Sequence, residues 1–177
     1  MSDFLLNNGL LIVLVPIFLI ALIIIIWMIS TVNGFMRFED IFYQHKKNVF
    51  VSIQERHHWL KHMDESYQII DSIPYIAWED KPTCHDILEY AKSLEELIQK
   101  WLSSPQIKNI PETDQKHVYE SLLEIEEHIQ FAKRKLNSDV SYYNQRISTF
   151  PTKIIASLRH YEKKPLIDLE TIKWLKP

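Results

Sequence analysis

The residues of this chain best suited to chemistry are its eight histidines, its single cysteine and the carboxylates near them. Glu55, His58 and His62 fall at i, i+3 and i+7, on one face of a helix. Glu55-Arg-His-His58 has the Glu-x-x-His spacing with which helical bundles hold paired iron or manganese ions. Such a centre needs a second Glu-x-x-His and two further Glu residues on facing helices. The nearest second half is Asp114-Gln-Lys-His117, which carries Asp in place of Glu and stands at a helix start. The expectation is therefore a polar stripe on an exposed face. No metal ligand, cofactor or catalytic residue is assigned.

Cys84 has His85 beside it, a nucleophile and a base in name. Neighbouring residues on a helix point apart, so the expectation is a capping or half-buried thiol. Tyr142, Tyr143 and Asn144 form a polar aromatic patch, with Tyr143 on a packing seam and Asn144 placed to fix helix register through a hydrogen bond. Lys153, Arg159, Lys163 and Lys164 give the segment after Pro151 a basic side suited to anionic lipid.

These groups are positioned by a chain with one dominant feature. Leu10 to Ile29 holds twenty residues without a charge or an amide. At ~1.5 Å per residue such a helix covers ~30 Å, the hydrocarbon thickness of a bilayer. A cleaved signal peptide fits poorly. Met1 to Gly9 has no Lys or Arg, the run is too long, and Ser30-Thr31-Val32-Asn33 is a weak cleavage site. Pro16 is tolerated in a membrane helix, and Trp27 suits the interface. The N-terminal flank lacks cations, whereas the C-terminal flank has Arg37, Lys46 and Lys47. The positive-inside rule places the N-terminus outside and the rest in the cytoplasm. A lone Cys84 suits a reducing compartment.

Beyond the anchor the composition is that of a helical domain. Gly occurs twice, at positions 9 and 34, which disfavours hairpins and excludes Gly-rich phosphate loops from the rest. A formal net charge of −3 argues against a nucleic-acid partner, and no small-molecule substrate is evident.

Residues 35–73 read as one long helix. Its seam is Phe38, Phe42, Val49, Ile53, Leu60, Met63, Tyr67 and Ile70, with His45 and Arg56 filling two gaps. Pro74 ends it, and a connection containing Tyr75, Ile76 and Trp78 follows. A second helix covers Cys84 to Leu102 with Thr83 as N-cap and Leu88, Ala91, Leu94, Ile98 and Trp101 as seam. A third long helix covers Glu112 to Thr149. Its seam is Leu122, Ile125, Ile129, Ala132, Leu136, Val140, Tyr143, Ile147 and Phe150. The runs Glu124, Glu126, Glu127 and Lys133, Arg134, Lys135 read as solvated faces. After Pro151, a short amphipathic segment is expected to turn Ile154, Ile155, Leu158 and Tyr161 inward. The pattern from Leu166 to Pro177 is weak, with Trp174 near its end. With three long elements the post-Pro151 segment lies far from the membrane, and with four it returns. The short 71–84 region favours three.

The last helix carries a resemblance. Ile129, Ala132, Asn137, Val140, Tyr143, Asn144, Ile147, Phe150, Pro151 and Ala156 match the C-terminal signature of the LemA family in type and spacing. Val49 to His57 and Pro105-Gln-Ile-Lys108 are similar to two further stretches of that family. The chain is identified as a divergent member: Lys61 replaces a usual Pro, and the 71–84 region is shorter than usual. The resemblance implies a bacterial, membrane-anchored helical protein. Some members are linked to membrane-embedded metalloproteases and others to intracellular membrane organelles. The family supplies no catalytic residues to carry over.

The expected fold is all-α: one N-terminal transmembrane helix, then an elongated antiparallel bundle of three or four helices. The expected organisation is a short extracytoplasmic N-terminus (1–9), a transmembrane helix (10–31), a helical bundle domain (35–164) and a C-terminal tail (165–177). The expected role is a non-catalytic scaffold or adaptor at the bacterial inner membrane. It would contact lipid through residues 10–31 and protein partners or other copies through the bundle. The alternatives are a regulatory subunit of a membrane-embedded protease and a metal-dependent bundle enzyme centred on Glu55, His58 and His62.

Overall fold

The computed structural model describes residues 2–67, 76–109 and 111–169. Ile70, Pro74 and Tyr75 of the first seam and connection, and Trp174 near the end, lie outside the described residues. Among the described residues there is no strand. The elements are α1 (Ser2–Tyr67), a 3-10 turn (Trp78–Asp80), α2 (Cys84–Leu102), α3 (Pro105–Lys108), α4 (Glu112–Ser148) and α5 (Thr152–Leu158).

Helix α1 runs without a break from the apolar stretch into the bundle, Pro16 included. From Ile12 to Ile29 the described large apolar side chains are exposed or, at Trp27, half-buried. The helix is long and apolar enough to cross a membrane, by length and composition. The chain divides into two compact units, Met1–Asp40 with Tyr143–Lys163, and Ile41–Tyr142 with Lys164–Pro177.

In the larger unit, α1 and α4 run antiparallel: His45 meets Asp139, and Arg56 meets Glu126. Helix α2 runs in the same direction as α1. Trp78 just before it meets Tyr43, Tyr90 lies against Phe50 and His57, and Trp101 meets Trp59. Trp78 thus lies beside Tyr43, near the start of the larger unit's part of α1. The core is close to the expected seams. Val49, Ile53, Leu60, Ala91, Leu94, Ile98, Trp101, Leu122, Ile129, Ala132, Leu136 and Val140 are buried. Ile87 and Tyr90 are also buried, while Leu88 and Ile125 are only half-buried. Thr83 caps α2 with a reciprocal capping box: Asp86 N–H donates to Thr83 Oγ1 at 3.2 Å, and Thr83 N–H to Asp86 Oδ2 at 2.7 Å.

In the smaller unit, Phe35, Phe38, Tyr143, Ile147, Ile155 and Ala156 are buried. Tyr143 stacks on Phe38 at 4.0 Å between ring centres and meets Phe35 edge-on at 5.9 Å. Phe150 is a correction. It continues the α4 seam in sequence, but the helix stops at Ser148 and Phe150 is 77 % exposed. Helix α5 departs from expectation in the same way. Ile155 and Ala156 face inward, while Ile154 and Leu158 face out. Two adjacent inward residues set the buried face, and residues one step before or two after them then point away.

Candidate functional site

The polar residues on the apolar seam of α1 are the chemically distinctive positions of the larger unit. Both sit in gaps of the Phe38–Ile70 series. Arg56 donates from Nη2 to Glu126 Oε2, with both side chains almost fully buried. Glu126 also accepts from Gln130 Nε2 at 2.7 Å. Burial pulls Arg56 below the ordinary arginine value, and the nearby Glu126 and Glu95 carboxylates draw it back up. His45 Nδ1 lies 2.7 Å from Asp139 Oδ2, the distance of an ion pair without the angle of a hydrogen bond. Lys135 reaches the other Asp139 oxygen at 3.5 Å.

A groove of about 490 Å³ opens beside the Arg56–Glu126 pair, lined by Lys92, Glu95, Glu96 and Asp168 among others. A smaller one of about 360 Å³ lies by Asp80, Asp86 and Glu89. Arginine keeps its proton at any ordinary pH and its charge here is directed at Glu126, so the pair is built to join helices rather than to transfer protons.

The residues singled out for metal chemistry are not brought together. Glu55 Oε2 lies 3.5 Å from His128 Nδ1 across α4, while His58 and His62 are exposed. Asp114 and His117 are exposed at the start of α4, where His117 lies 3.7 Å from Glu120. Among the described residues, no three His, Cys, Asp or Glu side chains could share one metal ion. Cys84 is half-buried at the first turn of α2. Burial pushes its thiol up, against a smaller opposite pull from Lys46 and Lys164, so the reactive thiolate is disfavoured. His85 is exposed, and its Nε2 lies 3.3 Å from Glu89 Oε1.

Tyr143 is buried on the seam as expected, and burial pushes its hydroxyl up to about 12. Asn144 is half-buried and Tyr142 exposed. Sequence reasoning overlooked Asn137 as a contact residue. Its Nδ2 donates to the Ile167 carbonyl at 2.7 Å, and its Oδ1 accepts from the Ile167 N–H at 2.9 Å. Lys133, read as part of a solvated run, donates to the Leu169 carbonyl at 2.7 Å. The two side chains thereby fasten the extended segment 164–169 to α4, with Ile167 and Leu169 buried. The usable signal was the alternation of apolar residues at 167 and 169 after Pro165. Glu126 is the second correction to the charged runs, since it is 4 % exposed while Glu124 and Glu127 face solvent.

The geometry is that of helices clasped by ion pairs and of a tail pinned by amide and ammonium groups. No curated protein and no solved structure matches the chain. The family model described as "LemA family" matches residues 24–176, from within the apolar run almost to the last residue. That span takes in the Asn137, Tyr143 and Phe150-Pro151 signature, which runs from α4 past its end, and the chain belongs to the LemA family.

Proposed function

We propose that this chain is a non-catalytic scaffold anchored in the bacterial inner membrane, which organises partners or further copies of itself at the bilayer surface. Residues 1–9 would lie outside, residues 10–31 would span the bilayer, and the bundle of residues 35–164 with its tail, 165–177, would be cytoplasmic. The observation that supports this reading is the continuity of α1, one helix supplying both the exposed apolar run and the spine to which α2 and α4 are clasped. The orientation follows from Arg37, Lys46 and Lys47 on one flank and none before the run. The seam charges are used between helices, which suits a structural role.

Chemical crosslinking in native membranes, followed by purification of the chain, tests the reading. A scaffold gives crosslinked species of fixed stoichiometry that contain this chain. Recovery of monomer alone at saturating crosslinker contradicts it, and co-purification of a membrane-embedded protease in constant ratio would favour a regulatory subunit instead.

A further inference from the structure

Phe150, Ile154 and Leu158 follow one another at four-residue steps and are 77 %, 61 % and 68 % exposed. Single exposed apolar residues are ordinary, but a group of large ones, here Phe150 just before α5 with Ile154 and Leu158 one turn apart within it, marks a contact stripe. The stripe lies in a segment, Thr149 to Tyr161, that has no Asp or Glu. Lys153 and Arg159 are exposed beside it. Such a face combines insertable apolar groups with cations, the pattern of helices that lie in a membrane interface.

What covers the stripe is indicated by where the segment is held. Within the smaller unit, Tyr161 packs on Phe35 at 4.9 Å between ring centres, Arg146 lies 5.8 Å over the same ring, and the guanidinium comes 3.7 Å from where a Cβ on Gly34 would stand. Phe35 follows residue 31, where the span proposed above ends, by four positions, or ~6 Å along a helix. The headgroup layer on each side of a bilayer is ~5–8 Å thick, from the difference between ~40–45 Å and ~30 Å. The segment is therefore tethered at the level of the headgroups next to its own anchor, not at the far end suggested by a three-element parity.

We propose that residues Thr149–Tyr161 form a second, in-plane membrane contact, inserting Phe150, Ile154 and Leu158 into the bilayer surface, with Lys153 and Arg159 on anionic lipid phosphates. The contact rests on the anchor reading above but is a separate surface with a separate test. It converts a single tether, free to tilt, into a two-point attachment.

The test uses the full chain with Cys84→Ser, reconstituted in vesicles of phosphatidylcholine and phosphatidylglycerol. An environment-sensitive fluorophore is placed by Ile20→Cys, Ile154→Cys, Leu158→Cys or Glu124→Cys, one at a time. All four side chains are exposed, so the labels leave the core intact. Quenching by nitroxides on the lipid chains should be several-fold stronger at Ile154 and Leu158 than at Glu124. Adding Lys153→Gln with Arg159→Gln, or omitting phosphatidylglycerol, should weaken it. Equal, weak quenching at 154, 158 and 124 with strong quenching at 20 overturns the second contact and leaves the anchor standing. Weak quenching at 20 overturns the anchor itself. Shielding of 154 and 158 from both lipid and aqueous quenchers that grows with protein-to-lipid ratio would assign the stripe to a second copy and overturn the proposal.

Discussion

Truncating either Arg56 or Glu126 strands the other charge in the interior of the larger unit. Arg56→Ala or Glu126→Ala should cost about 3–5 kcal/mol, read by urea denaturation of the chain in detergent, because the partner stays buried without its counter-ion. Replacing both together, as Arg56→Met with Glu126→Leu, should be near neutral or stabilising. Tyr143 gives a pH-dependent prediction. Its hydroxyl is held at about 12 in the fold and near 10 when unfolded. The native state thus favours the neutral phenol. The stability this contributes is complete below the unfolded value and is lost as pH rises through the folded one. Unfolding midpoints should fall between about pH 10 and 12, and Tyr143→Phe should flatten that limb. A limb unchanged in Tyr143→Phe would contradict the assignment. At this scale the sequence was only half readable. The gaps at His45 and Arg56 were visible, and an arginine on an apolar seam demands an opposite charge. Glu126 was hidden because it sits in an acidic run whose other members face water.

At the scale of elements, α4 was the most legible. Its three- and four-residue steps mark the buried stripe from Leu122 to Ile147, with Ile125 the weak member. The reading failed where the helix stopped, since periodicity assumes that the helical phase continues. Beyond Ser148 that phase is broken, and Phe150, Ile154 and Leu158 are exposed. The cap of α2 was legible because Thr83 and Asp86 stand at capping-box spacing. Thr83→Ala should lower stability by about 1 kcal/mol. The fastening of segment 164–169 was not legible, because a side chain that bonds backbone leaves no pattern in the partner's residue types. Asn137→Ala removes both hydrogen bonds to Ile167. The Ile167 amide should then exchange its hydrogen markedly faster in a deuterium-exchange experiment, while amides within α4 remain protected. Unchanged exchange at Ile167 would show that burial of its side chain alone holds the segment.

For the whole molecule, the apolar run from Leu10 to Ile29 was readable from composition alone, and so was the all-helical class. The family was readable as well, from the signature between Ile129 and Ala156, and the match over residues 24–176 bears the family out. Counting long helices could not reveal that the chain returns to Tyr43 by Trp78, so the parity inferred from length placed the post-Pro151 segment at the wrong end of its helices. The central claim is that α1 anchors the chain in a bilayer. The most direct measurement is extraction of whole membranes with alkaline carbonate, which strips proteins held by charge or by other proteins but leaves spanning helices in place. The chain should remain in the membrane pellet, and replacing Leu19, Ile23 and Ile26 with Asp should release it. Full release of the unaltered chain into the supernatant would contradict the account.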